Sequence, residues 1–258
     1  MAARMSGKFA IITGAGGGIG ACAAALFCEH GARVLMVDSE PESLARTFRD
    51  VRSRQPRARI AILAADVTKP ADAAAMVEAA VGKFGRLNVL VNNAAVRDVE
   101  TVAKSNPDAW ARVFETNVIG AVNCAKASLP ALRAAKGASI VNVSSCYAVR
   151  GRKGFAAYDA SKAALLATTR SLATEEAEYG VRVNAVCPGG TLTPFTIGRG
   201  RTRGRTEAQM RADRKSDALL GRWAEPVEVA WPILWLASDE ASYITGTSLM
   251  IDGGMSIL

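Results

Sequence analysis

Residues 8–20 read Lys8-Phe9-Ala10-Ile11-Ile12-Thr13-Gly14-Ala15-Gly16-Gly17-Gly18-Ile19-Gly20. The run 8–13 has the length and the side chains of a buried strand, and it stops at a cluster of glycines. Behind the glycines, Ile19, Ala23, Leu26 and Phe27 fall on one face of a helix over 19–30. A strand, a glycine turn and a helix in that order bring main-chain N–H groups to the positive end of a helix dipole. Gly14, Gly16, Gly17, Gly18, Ile19 and Gly20 would then line a seat for a pyrophosphate. So many glycines can be parsed in several registers, and the surrounding chain has to settle what they mean.

Working outward, the strand–helix alternation does not break. Strands are expected at 33–37, 60–63, 88–91, 139–143, 182–186 and 248–251. Helices are expected at 41–55, 70–84, 107–135, 156–179 and 226–237. Pro41 suits a first helical turn and Gly85 closes the helix before it. Continuous Val/Ile/Leu strands indicate a sheet buried on both faces. The expected fold is α/β, a doubly wound Rossmann-type parallel sheet of about seven strands with helices on both faces. The 258 residues form one domain, and segment 195–222, too long and too charged for a plain connection, reads as a helical insertion forming a substrate lid. Ligands of such sheets sit beyond the carboxyl ends of the strands.

Asp38 ends the second strand with Ser39 after it, where a carboxylate accepts hydrogen bonds from an adenosine ribose diol and repels a 2′-phosphate. No arginine follows directly, so NAD(H) is expected over NADP(H).

Composition narrows the chemistry. Half of the residues are apolar and no run approaches a membrane span. The N-terminus carries no secretory h-region, and the five cysteines form no CxxC pair, so the chain reads as cytoplasmic with reduced, mostly buried thiols. His30 is the single histidine, placed where a helix should end and a cation is favourable near the last carbonyls. Neither a histidine-rich metal site nor a Ser-His-Asp triad is expected, and no metal is assigned. Any general base is then something other than histidine. Tyr158 and Lys162, one helical turn apart, supply one: an ammonium near a phenol favours phenolate and lowers its pKa. Ser144 and Ser145 close strand five on the same edge of the sheet.

Together these features resemble the short-chain dehydrogenase/reductase family over nearly the whole chain. Gly14, Gly18 and Gly20 match that family's Thr-Gly-x-x-x-Gly-x-Gly. Asp66-Val67 is similar to its adenine contact, and Asn92-Asn93-Ala94-Ala95 to its Asn-Asn-Ala-Gly turn, with Ala95 in place of glycine. Asn117, Ser145, Tyr158 and Lys162 match its catalytic set, and Pro188-Gly189 with Thr191 and Thr193 resembles the loop that holds the nicotinamide amide. The resemblance implies hydride transfer between a nicotinamide cofactor and a secondary alcohol or ketone. Tyr158 would act as base, Lys162 would contact the nicotinamide ribose, and the main chain of Asn117 would hold a relay water. It also implies a homotetramer built through the two long helices and the C-terminal strand.

The formal charge is +8, and the surplus within Arg199–Arg222 and Cys146–Lys153 accounts for all of it. Arg97, Arg150 and Arg152 are therefore candidates for gripping an anion, which points to a hydroxy or oxo acid or a sugar-type substrate. The alternatives are an NADPH-dependent 3-oxoacyl thioester reductase and a non-catalytic dinucleotide sensor. A nucleic-acid binder is disfavoured, because the aromatic residues do not interleave with the basic loops along the chain.

Overall fold

The computed structural model describes residues 3–202, 204–212 and 217–258. Five residues of the basic stretch 199–222, Arg203, Asp213, Arg214, Lys215 and Ser216, lie outside them. The chain runs β1 (Phe9–Thr13), α1 (Gly18–Glu29), β2 (Arg33–Asp38), α2 (Pro41–Arg54), β3 (Arg59–Ala64), α3 (Pro70–Phe84) and β4 (Val89–Asn92). It continues through α4 (Pro107–Phe114), α5 (Gly120–Arg133), β5 (Ser139–Val143), α6 (Ala156–Glu176) and β6 (Arg182–Pro188). Then come α7 (Pro194–Thr202), α8 (Glu207–Ala212), α9 (Pro226–Ala237) and β7 (Ser248–Ile251). The seven strands pair in parallel in the order β3-β2-β1-β4-β5-β6-β7.

The two-residue period of a strand sorts the core into two layers. Ala10, Ile12, Val34, Met36, Val89 and Val91 point to one face and meet Ala23 and Phe27 of α1 and Val229 and Ile233 of α9. Their neighbours Ile11, Leu35, Val37 and Leu90 point to the other and meet Met76 of α3, Cys124 and Leu132 of α5 and Ala173 of α6. Burial on both faces, expected for the whole sheet, holds for the inner strands. The edge strand β3 alternates between buried and exposed, with Ile62 at 39% exposure, and β7 is half-buried throughout.

The strand order reverses between β1 and β4, so the connections leaving these neighbours diverge and open a crevice. Two side chains fix its floor. Thr13 Oγ1 accepts from the N–H groups of Asn93 and Ala94 (3.1 and 3.2 Å), and Asn93 Nδ2 donates to the carbonyls of Thr13 and Gly14 (3.0 and 2.9 Å). Ala95 costs nothing in place of glycine, since no residue other than glycine has positive φ among the described residues.

The stretch expected as one helix over 107–135 is interrupted. Between α4 and α5 the backbone widens into a π-helical turn, Glu115–Ile119, and Asn117 sits inside it. Such turns accompany functional sites because the wider winding displaces main-chain groups from the regular ladder. His30 also departs from expectation. It ends α1, but its ring turns inward at 3% exposure, edge-on to Trp231 at 5.2 Å, and neither ring nitrogen has a partner. It caps no carbonyl with its side chain.

Candidate active site

A cleft of about 1120 Å³ opens beyond the carboxyl ends of the strands. One half is main chain and strand termini. Gly14, Gly16, Gly17, Gly18 and Ile19 line it together with Asp38, Ser39, Asp66, Val67, Asn93, Ala94, Ala95, Pro188, Gly189, Thr191 and Thr193. Gly20 is behind the lining: a Cβ there would stand 2.4 Å from the Gly14 carbonyl oxygen, so it sets how closely α1 approaches the loop. Gly17 is the N-cap of α1 and offers no capping side chain, and the first turn holds no acid. The free N–H groups of that turn therefore face the cleft and fit a pyrophosphate. Asp38 accepts from Gly16 N–H at 2.8 Å and from Glu40 N–H at 3.1 Å, which fixes its carboxylate at the end of the cleft beyond β2. Asp66 is held below the usual carboxylate range, chiefly by the N–H and then the hydroxyl of Thr68. Sequence reasoning missed Arg46 of α2, which also lines this end and donates to Ser43 Oγ at 3.1 Å. No motif marks it; only the docking of α2 brings it to the cleft.

The other half is built from side chains on distant segments. Ser145, Tyr158 and Lys162 line it. Lys162 is buried, and its Nζ donates to the Val143 carbonyl at 2.8 Å and stands 5.7 Å from the centre of the Tyr158 ring. Ser144 Oγ donates to the Lys162 carbonyl, tying the end of β5 to α6. Asn117 does not line the cleft. Its side chain bridges both main-chain groups of Val96 (2.8 and 2.9 Å) and donates to Ser161 Oγ (2.9 Å), next to Lys162. That leaves only its main chain for any relay.

Electrostatics run against one expectation. Burial pushes the Tyr158 phenol up to about 12, opposed by the charges of Arg152 and then Arg97; burial also brings Lys162 down to about 8. The ammonium a helical turn away does not make this phenol acidic by itself, because desolvation is the larger effect.

The basic residues are also more engaged than their count suggests. Arg152 lines the cleft, but its fork holds Asp159, with Nη2 to Oδ1 at 2.8 Å. Arg97 lines the cleft, donates to the Phe195 carbonyl and stacks on the Phe195 ring at 3.8 Å. Arg150 turns away and donates to the Met255 carbonyl, so the anion role expected of it has no support in its position. Arg211 pairs with Glu207 and Glu225, and Arg222 with Glu228. Against expectation, aromatic rings interleave with the basic residues in space, one of them, Tyr147, from within the basic segment Cys146–Lys153 itself: Arg152 lies 3.7 Å from both Tyr147 and Phe155, and Arg199 4.2 Å from Phe155. Phe195, Arg199, Gly200, Arg205, Met210 and Asp217, all from segment 195–222, line this half, as does Trp223.

Comparison with known proteins agrees with this geometry. The family model described as enoyl-(acyl carrier protein) reductase matches residues 14–256. A short chain dehydrogenase/reductase of Aspergillus oryzae is 37% identical over 98% of the chain and 97% of its own length. The cis-4-hydroxycyclohexanecarboxylate dehydrogenase of Sinomonas cyclohexanicum is 38% identical over 96% of each chain. A short-chain type dehydrogenase/reductase from Mycobacterium marinum superposes with a TM-score of 0.89 at 29% identity, over 98% of this chain and 97% of its own. The chain belongs to the short-chain dehydrogenase/reductase family. It is an oxidoreductase acting on the CH–OH group of small molecules, in a family that uses nicotinamide cofactors. No helix among the described residues is long and apolar enough to cross a membrane.

Proposed function

We propose that this enzyme is an NAD(H)-preferring dehydrogenase for a secondary alcohol or ketone that carries an anionic group, a hydroxy or oxo acid or a sugar-type acid. The observation that carries the reading is one cleft shared by the glycine turn, the Asp38 carboxylate and the Ser145–Tyr158–Lys162 cluster. Asp38 supports NAD(H), because a fixed carboxylate at the ribose repels a 2′-phosphate. The charge of Arg97 at the mouth supports an anion, and the Sinomonas relative is itself named for a hydroxy acid.

The N–H groups at the start of α1 would hold the pyrophosphate, Asp38 and Ser39 the ribose, Asp66 and Val67 the adenine. Asn93, Ala94, Ala95, Pro188, Gly189, Thr191 and Thr193 would enclose the nicotinamide end. When bound, the cofactor supplies the hydride acceptor or donor. Ser145 and Tyr158 hold the substrate oxygen. In oxidation Tyr158 Oη takes the hydroxyl proton as the substrate O–H bond breaks, and in reduction it returns that proton. Lys162 holds the ribose and adds positive charge behind the phenol. The Asn117 main chain passes the proton to water. Helices α7 and α8 act as the lid of the mouth. Assembly as a homotetramer is supported by the exposed Tyr243 and Ile257 at the C-terminal end. The five free cysteines support a cytoplasmic site.

A second reading, an NADPH-dependent 3-oxoacyl thioester reductase, is favoured by one feature, Arg46 at the adenosine end. Initial rates with NAD and NADP over a panel of hydroxy acids and matched neutral alcohols separate the two. Preference for NAD and for acids is expected; equal kcat/KM for acids and neutral alcohols removes the anion. A non-catalytic sensor would bind NAD with no turnover on any of them.

A further inference from the structure

We infer that Arg152 is a positioning residue of the reaction: clamped by Asp159 and stacked on two rings, its guanidinium is held beside the Tyr158 ring in the cleft and sets the charge around the Tyr158 hydroxyl. The inference rests on Tyr158 being the proton acceptor.

Three independent contacts immobilise the guanidinium. Arg152 Nε donates to both oxygens of Asp159 (3.1 and 3.2 Å) and Nη2 to Oδ1 (2.8 Å), a forked arrangement that fixes its plane. The rings of Tyr147 and Phe155 each lie 3.7 Å from its central carbon. Tyr158 is the third ring around it, at 5.5 Å, slightly nearer than the 5.7 Å that separates Lys162 Nζ from the same ring. The two cations also differ in freedom. Lys162 is engaged with the Val143 carbonyl and is itself driven toward neutrality by burial, whereas a guanidinium stays charged at every working pH.

The groups acting on the phenol come from three elements. Lys162 and Asp159 belong to α6, Arg152 and the Cys146 thiol to the stretch between β5 and α6, and Arg97 to the segment after β4. Arg152 is the largest charge favouring phenolate, Arg97 the next, while Asp159 and Cys146 oppose it. Arg152 and Asp159 therefore form a paired adjustment of opposite sign. The carboxylate that holds the guanidinium in place also offsets part of its field. Asp159 itself is raised by burial and restored in part by Arg152, so the two are mutually dependent.

The opposite signs make the test specific. The pH profile of kcat/KM for alcohol oxidation is measured for the whole enzyme and for Arg152→Met, Arg152→Lys, Asp159→Asn and the double variant Arg152→Met/Asp159→Asn. Removing the guanidinium should move the acidic limb to higher pH by about one unit, so that activity near neutrality falls roughly tenfold and recovers in alkali. The lysine variant keeps the charge and should restore most of the original limb. Asp159→Asn should move the limb the other way, and the double variant should return toward the parent. A second readout needs no turnover: in cofactor-free protein with 13Cζ-labelled tyrosine, the Tyr158 resonance of Asp159→Asn should begin to titrate at lower pH than in the parent. If Tyr158→Phe is inactive yet Arg152→Met leaves the limb in place, the inference fails and the reading of Tyr158 stands. Shifts of both single variants in the same direction mark a structural role and also overturn it. If Tyr158→Phe keeps normal turnover, it is the underlying reading that has failed.

Discussion

The two halves of the cleft are made of different material. The half proposed to hold the cofactor is built largely from main chain at the ends of β1, β2, β4 and β6, held by short links such as Asn93 to the Thr13 and Gly14 carbonyls. The half proposed to take the substrate is built from long side chains that meet across the fold: Arg97 with Phe195, Arg152 with Asp159 and two rings, Arg199 with Phe155. In the first half, geometry follows from where strands stop. In the second, each charge is set by a neighbour that the chain order does not reveal. A cofactor-facing half should therefore fail sterically when altered, and a substrate-facing half should fail electrostatically and by degree.

The sharpest way to break this division is at the hydroxyl where the halves meet. Tyr158→Phe should lower kcat by about 10³- to 10⁴-fold, while fluorescence titration shows cofactor affinity within about twofold. A loss of both together would mean the phenol belongs to the binding half. Next in size is Gly20→Ala. Its methyl group would meet the Gly14 carbonyl at 2.4 Å and the Asn93 amide at 2.6 Å, so the glycine turn must move. Cofactor Kd should rise about 10²-fold, roughly 3 kcal/mol, measured by calorimetry. Unchanged Kd would show that the turn is not the pyrophosphate seat.

Lys162 sharpens the comparison through stability. Its folded pKa is lowered by burial to about 8, below the unfolded value near 10.5. Between those two values the unfolded chain binds more protons, so this group's contribution to stability rises with pH. The cost of charging it is present in full below about pH 8 and disappears as pH rises to the unfolded pKa. Any Tm advantage of Lys162→Met over the parent should therefore shrink between pH 8 and 10, by about 5 °C. A difference in Tm independent of pH would show that the amine is not desolvated.

Smaller again is Asp38→Asn, which should raise kcat/KM with NADP relative to NAD by about tenfold or slightly more. No change would assign the discrimination to Arg46 instead. Smallest is Arg97→Ala, expected to lower kcat/KM for hydroxy acids several-fold, up to about tenfold, and for neutral alcohols about twofold. An equal fall on both would reduce Arg97 to its stack on Phe195.

The legibility of the chain divides along the same line. Gly14 to Gly20, Asp38, Asp66 and Asn93 sit at strand ends, and strand ends are visible as the point where an apolar run meets glycine, aspartate or asparagine. Tyr158 and Lys162 share a helix face at a fixed spacing, so their meeting is also local. Arg150 illustrates the opposite case. It lies two residues from Arg152 in a basic loop, yet one turns to the Met255 carbonyl and the other to Asp159. No local pattern separates them. The π-helical turn at Asn117 is likewise invisible: nothing in the order Glu115-Thr116-Asn117-Val118-Ile119 tells a wider winding from a regular one, and the Asn117 side chain finds its partners, Val96 and Ser161, on distant segments.

From the amino-acid order alone came the alternating architecture, the glycine turn that opens the cleft and the hydroxyl–amine pair on α6, since periodicity and spacing are properties of neighbours along the chain. Tertiary structure alone decided how much charge faces Tyr158, which arginines remain directed at the cleft, and that His30 is buried without a polar partner. Desolvation and long-range ion pairing depend on which distant segments close over a group, and nothing adjacent in the chain records that.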